Sequence, residues 1–256
     1  MGCCGPVTQW CVEFGLLTST EPSQANLIRG PLYYFPGLAH CSIVQRLMQQ
    51  HGIRARGKRR FRVMTTDSRH NLPIASNLLD CNFTPAAPNQ AWAGDITYIA
   101  TEEGWLFLAV VIDLFSRRVV GWSMQPDMGR NLVIDALEMA WFRRRPDRNN
   151  KLIFHSDRGS QYASEDFNKV LKEYAITPSM SGKGNCWDNA CSETLFGSLK
   201  VERLHGQRFE TIRQAKDETI AWLLWYNQTR MHSTLDYASP VAFENEWENT
   251  LVKAAA

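Results

Sequence analysis

The sequence predicts an α/β protein, a mixed sheet flanked by helices, and three observations lead there. Three strand-like runs follow one another from Ala91, "AWAGDITYIA", "GWLFLAVVID" and "RRVVGWSM", each rich in β-branched and aromatic residues. Helical and strand-like stretches then alternate through residue 180, the order that covers a sheet with helices. With 256 residues, 44% of them hydrophobic, the chain has apolar material for a full core.

In chain order, residues 1–42 show neither helical nor alternating periodicity and carry scattered Gly and Pro, so no fold is assigned to them. "SIVQRLMQQHGI" reads as a short amphipathic helix with Ile43 and Leu47 on one side and Gly52 at its end. The basic "RARGKRRFR" follows, in a region where no acidic residue occurs between Glu21 and Asp67. Its Arg54, Arg56, Lys58, Arg59, Arg60 and Arg62 fit either a solvated face or a basic arm that touches phosphates. The polar, Pro-punctuated stretch up to Gln90 reads as a linker, so 43–89 is divided into helix, arm and linker.

Thr101, Glu102, Glu103 and Gly104 separate the first two strand runs as a hairpin would, and the third run makes three antiparallel strands in a row. "NLVIDALEMAWFRR" sets Leu132, Leu137, Ala140 and Trp141 on or near one helical face, with Pro146 past its end. "KLIFHSD" is the next strand, "SEDFNKVLKEYA" a helix that Ser164 can cap, and "ITPSM" a short extended piece. After the Gly-rich "SGKGNCWDNA" comes the helix "CSETLFGSLKVERLH", with Leu195 or Phe196, Leu199 and Leu204 as anchors. The long helix "TIRQAKDETIAWLLWYNQTR" carries Trp222, Trp225 and Tyr226, which are expected to face a core. The α/β portion is thus bounded at 90–206, with a helical extension over 207–256.

Composition narrows the function. Seven cysteines, odd in number, irregular in spacing and without a Cys-x-x-Cys pair, argue against a disulfide framework or zinc knuckle and for a reduced, cytoplasmic setting. The apolar run "WLFLAVVI" is too short to cross a bilayer, and the N-terminus lacks the pattern of a signal peptide, so no membrane partner is expected.

Three acids stand out. Asp95 lies in a run suited to a sheet interior, where an unpaired charge is costly. Asp157 ends a strand before an Arg-Gly-Ser turn, a place that any turn former could fill. Glu193 lies in the first turns of a helix, where the helix dipole favours an acid. One shared explanation covers all three: hard oxygen donors for magnesium, which needs only a few carboxylates besides waters and substrate phosphate. Two such ions, roughly 3.5–4 Å apart, clamp the attacking and leaving oxygens of a displacement at phosphorus. Asp95 would bridge them, with Asp157 and Glu193 each completing one shell.

The blocks "GDITYI", "HSDRGSQYAS" and "KGNCWDNACSETLFGSLKVE" resemble the three signature blocks of the DDE transposases encoded by bacterial insertion sequences, particularly the OrfB type related to retroviral integrases. Thirty-five residues separate Asp157 from Glu193, the spacing of the family motif, and "LAVVIDLFSRRVVGWSM" and "YNQTRMHSTLDYASPVAFE" are similar to its accessory blocks. The resemblance implies a ribonuclease-H-like fold with a basic N-terminal arm and a helical C-terminal extension. It also implies metal-dependent phosphodiester cleavage and DNA strand transfer by Asp95, Asp157 and Glu193 with two Mg²⁺ ions, Mn²⁺ being a substitute. Residues 1–42 depart from the helix-turn-helix-like portion of full-length members.

Partners implied by the resemblance are double-stranded DNA, both element ends and target, further copies of the chain on DNA, and an upstream-frame transposase partner; the nucleoid would be the place of action. Lys200 falls two helical turns after Glu193 and so shares its face, within reach of a DNA phosphate. Lys183, Asn185, Trp187 and Asn189 lie in the loop before that helix as further DNA contacts. His155 and His232 are read as structural, hydrogen-bonded histidines, because metal-activated water needs no separate base. A stand-alone nuclease of the same fold, and a noncatalytic DNA-binding protein or transposition inhibitor, are the alternatives.

Overall fold

The chain reverses between Thr101 and Gly104, whose φ of +124° suits glycine, and so zips β1 (Ala91–Thr101) antiparallel to β2 (Gly104–Asp113). β3 (Val119–Gln125) pairs antiparallel with β2, through a register shift at Val111/Ile112. The structure is a computed structural model that describes residues 46–52, 70, 72–80, 83–182 and 190–255. The basic arm from Arg54 to Arg62, together with Lys183, Asn185, Trp187 and Asn189, lies outside the described residues. The first sixty residues form a unit of their own, helical over 46–50 and turned at Gly52, whose φ is +66°.

In the second unit, Phe61–Ala256, helix α1 (Arg130–Arg144) leads to β4 (Ile153–Ser156), the short α2 (Ser160–Ala163), α3 (Glu165–Glu173) and β5 (Thr177–Met180). The Ser164 side chain accepts from Phe167 N, the N-cap that the sequence announced. Then come α4 (Ala190–Leu199), a π-helical turn (Lys200–Leu204), α5 (Ile212–Gln228), a 3₁₀ turn (Ser233–Leu235) and α6 (Pro240–Ala255). The five strands lie in the order β3-β2-β1-β4-β5, with β4 parallel to both of its neighbours. This is the mixed sheet expected from the sequence.

Both faces of the sheet are covered, which is why β2 reads as an almost unbroken apolar run. On one face Trp92, Ile96, Val111 and Phe154 pack with Leu132, Ala136, Leu137 and Ala140 of α1 and with Phe167 and Leu171 of α3. On the other, Leu108, Val110 and Trp122 meet Leu195, Phe196 and Leu199 of α4 and Trp222, Leu223 and Tyr226 of α5. The Trp-rich helix departs from expectation at Trp225, which is 43% exposed while Trp222 and Tyr226 are buried. The buried Ala215, Thr219, Leu223, Tyr226 and Asn227 all fall to one side of Trp222 on the helical wheel and Trp225 to the other, so Trp225 stands at the outer edge of the stripe.

Gly121 is where α1 sits down on the sheet. A Cβ there would lie 2.2 Å from the Ala136 carbonyl oxygen and 2.7 Å from Ala140 N. Both are backbone atoms in the middle of a buried helix, so no side chain can rotate away. Gly121→Ala is therefore expected to cost about 2–3 kcal/mol, the upper end of overpacking penalties, read as a lowered urea midpoint with an unchanged slope.

Candidate active site

The parallel pairing of β1 with β4 runs only from Ala91↔Ile153 to Ala93↔His155. Two residues further along each strand stand Asp95 and Asp157. Continuing that register sets the two acids opposite one another where the strands part, at the carboxyl end of β4. Asp95 keeps partial exposure and accepts a 2.7 Å bond from Ile96 N. Asp157 Oδ1 accepts from Gly159 N at 2.9 Å, an Asx turn that fixes the carboxylate as the chain leaves the strand. A Cβ on Gly159 would stand 3.0 Å from that oxygen, a tight approach that only a small shift of the Asp157 carboxylate would relieve.

Glu193 lies exposed in the first turn of α4, whose opposite side is held by buried Leu195, Phe196 and Leu199. Its charge reaches Asp95. Burial pushes the Asp95 carboxyl well above the ordinary carboxylate range, the nearby Asp157 and Glu193 charges push it further, and the Ile96 N–H and Lys200 only partly offset them. The buried Tyr162 hydroxyl is raised by burial and by Asp95 and Asp157, so it borders both. Lys200 is lowered by burial and lifted by Asp95.

The Asp157 and Glu193 charges both act on Asp95, which makes this an anionic locus. Among the described residues Asp95 and Glu193 have no arginine or lysine within 4 Å. Also among the described residues, no three His, Cys, Asp or Glu side chains stand close enough together to hold a metal ion. The donor chemistry suits a hard divalent cation.

The neighbouring residues are structural. Arg158 turns away, its Nε donating to Ser181 O at 2.7 Å. His155 is buried, its Nδ1 2.9 Å from Ser179 Oγ. Burial, with Arg230 and Arg117 nearby, drives His232 down to about 4, so it stays neutral at physiological pH. The role of Tyr162 as a wall behind both aspartates escaped the sequence reading, although it lies within the quoted "HSDRGSQYAS" block; its contacts with Phe154 and Phe167 mark it as core. Nor was the anchorage of α4 visible: Arg117 donates to Cys191 Sγ and Phe83 O, and beyond the helix Arg230 grips Glu202 at 2.7 Å and reaches Ser198.

Comparison with known proteins agrees with this architecture. Two family models, both described as integrase core domain, match residues 85–186 and 174–240. Transposase InsF for insertion sequence IS3A of Escherichia coli strain K12 is 47% identical over 200 residues, 78% of this chain and 68% of that protein. The insertion element IS600 uncharacterized 31 kDa protein of Shigella sonnei is 43% identical over 207 residues, 79% of this chain and 74% of that one. Among solved structures, a chain of the simian T-cell lymphotropic virus intasome in complex with PP2A regulatory subunit B56 gamma superposes with a TM-score of 0.52 at 18% identity, covering 70% of this chain and 60% of that chain, a likeness of fold. A shared ribonuclease-H-like sheet, the integrase core match and close kinship with InsF together make this chain a member of the integrase-core transposases of bacterial insertion sequences.

Proposed function

We propose that Asp95, Asp157 and Glu193 are the catalytic carboxylates of this transposase, holding divalent metal for phosphodiester cleavage at an element end and for joining that end to target DNA. The observation that carries the reading is the charge coupling of Asp95 to both other acids at the point where β1 and β4 diverge. Such repulsion is costly without a cation and is relieved by one. Magnesium is the ion of choice for an all-carboxylate set, with manganese as substitute, and two ions fit three carboxylates that share a phosphate substrate. When bound, these ions supply Lewis acidity for an attacking hydroxyl and a departing 3′-oxygen.

The protein's own groups do the positioning. The Asx turn holds Asp157, the Ile96 N–H orients Asp95, and the packed face of α4 brings Glu193 in as the site closes. Tyr162, with its hydroxyl kept protonated, walls off the aspartates on the core side. Lys200 holds a DNA phosphate beside them, and the basic arm and the loop of Lys183, Asn185, Trp187 and Asn189 add contacts to the backbone. Element ends and target are the DNA partners, several copies assemble on them, an upstream-frame protein supplies end recognition, and the work is done at the nucleoid. Among the described residues no helix is long and apolar enough to cross a membrane.

The test uses pre-cut element ends with the full chain and Mg²⁺. Joined products are expected from the wild type and none from Asp157→Asn; hydrolysis without any joining would make the protein a nuclease, and neither activity would make it a noncatalytic DNA binder. Lys200→Ala is expected to keep its circular dichroism spectrum while DNA binding weakens, the slope of log K against log salt falling by about 0.9 in magnitude for one lost phosphate contact. An unfolded variant, or an unchanged slope, would remove Lys200 from the DNA interface.

A further inference from the structure

An aromatic pair beside Asp95 has no part in the metal chemistry. Tyr98 lies three residues beyond Asp95 on β1, and Trp105 opens β2 opposite Ala100. Their rings meet edge to face with centroids 5.2 Å apart. The Lys200 ammonium rests 4.5 Å from the Tyr98 ring centroid, and among the described residues no carboxylate lies within 4 Å of it. A ring steadies this lysine where an acid would have neutralised it.

The hairpin's two acids are engaged elsewhere. Glu102 pairs with Arg208, and Glu103 accepts from Ile212 N at 2.7 Å. Trp105 is left 47% exposed, a large apolar ring facing solvent beside Tyr98. Packing does not account for it. An exposed indole on one side of Tyr98 and an ammonium on the Tyr98 ring offer the two surfaces that a nucleotide needs from a protein, a π-face for the base and a cation for the phosphate.

Resting on the transposase reading of the carboxylate site, we propose that Trp105, backed by Tyr98, is a stacking platform for an unpaired nucleobase of the DNA strand whose phosphate lies on Lys200. Bases inside a duplex have both faces covered by their neighbours, so only a frayed or extruded base can use the ring. Stacking of this kind is indifferent to base identity, as every base has a π-face. The platform therefore holds the strand end near Asp95 without selecting a sequence.

The experiment places 2-aminopurine next to the 3′-terminal nucleotide of a pre-cut element end and titrates it with the full chain and Ca²⁺, with cleavage of an uncut end and joining of the pre-cut end in Mg²⁺ measured in parallel. Wild type is expected to quench the fluorophore, Trp105→Phe to retain most of the quenching, and Trp105→Ala to lose it while binding roughly tenfold more weakly. The salt dependence should stay as in wild type for both, unlike that of Lys200→Ala. Should Trp105→Ala lose its fold by circular dichroism, Trp105→Gln gives the same reading. Wild-type affinity and quenching in the folded Ala or Gln variant, with the wild type active, would overturn the platform alone; a wild type that neither binds nor cuts DNA would overturn the platform and the proposed function together.

Discussion

Asp95→Asn is expected to fold, to be as stable as the wild type or more so without metal, and to lose DNA cleavage and joining by at least about a thousandfold. The first two expectations come from charge. At neutral pH the wild-type site holds Asp95 in poorly solvated surroundings, where the Asp157 and Glu193 charges both push against it. Asparagine keeps the shape and its oxygen still accepts from Ile96 N, so the substitution removes repulsion without opening a cavity. The third follows from losing a ligand at the centre of the site: several kcal/mol of transition-state stabilisation is three or more powers of ten in rate.

One thermal experiment separates these effects. In EDTA the melting temperature of Asp95→Asn should equal or exceed that of the wild type, and millimolar Mg²⁺ should raise the wild-type value while moving the variant little, since a ligand stabilises only the state that binds it. Mg²⁺ raising both proteins equally would locate metal binding elsewhere. Activity within tenfold of wild type would remove Asp95 from the chemistry. The trade of stability for a strained acidic cluster is common at active sites.

The acids of this site were legible in the sequence because each sits where its neighbours are apolar or turn-forming. "WAGDITYIA" and "LIFHSD" are strands interrupted by a charge, and the helices and strands around them follow from plain periodicity. Trp225 was misjudged because a cluster of aromatics shows their number and not which of them turns outward. The platform was hidden for another reason: Trp105 meets Tyr98 through hairpin register, and Lys200 reaches that ring from a π-helical turn about a hundred residues away, wider than the α-helix the sequence implied. Gly121 gave no local sign either, because its need is set by the backbone of another element. The partners of Glu244 in turn lie about a hundred residues or more away, and each resembles an ordinary surface charge.

Glu244→Ala is expected to be the most destabilising single change outside the active site, about 3–5 kcal/mol, the range for breaking a buried ion pair by removing one partner. Glu244 is 2% exposed on α6, where it accepts from Ser116 Oγ at 2.6 Å, Arg118 Nη1 at 2.7 Å and Arg144 Nη1 at 2.8 Å. Arg144 also reaches Asn89 and, at 3.4 Å, the buried Asp113, so the substitution leaves its guanidinium beneath α6 with that longer contact in place of the two short ones to Glu244. Phe115, tilted against Phe243 and edge-on to Trp247, holds the same helix, yet those contacts cannot neutralise the charge.

The same cluster sets an acid limit on stability. Burial opposes the Glu244 charge, but Arg144, Ser116 and Arg118 outweigh it and hold the carboxyl below its ordinary 4.5. A depressed acid contributes stability that is complete above the unfolded value and lost as pH falls through the folded one, so the wild type should weaken progressively below about pH 4.5. Asp113 behaves oppositely: burial lifts it to about 6, so its contribution is greatest below its ordinary 3.8 and fades as pH rises through 6. Urea midpoints from pH 3 to 7 should show Glu244→Gln losing much of the steep acid limb while retaining the shallow decline toward pH 6. An acid limb equally steep in wild type and variant would mean that α6 is held by its aromatics and not by this charge. Replacing Glu244 and Arg144 together by Leu and Met would then decide whether the pair stabilises the fold or only fixes where α6 docks, because an apolar pair of similar volume often matches a buried salt bridge in stability.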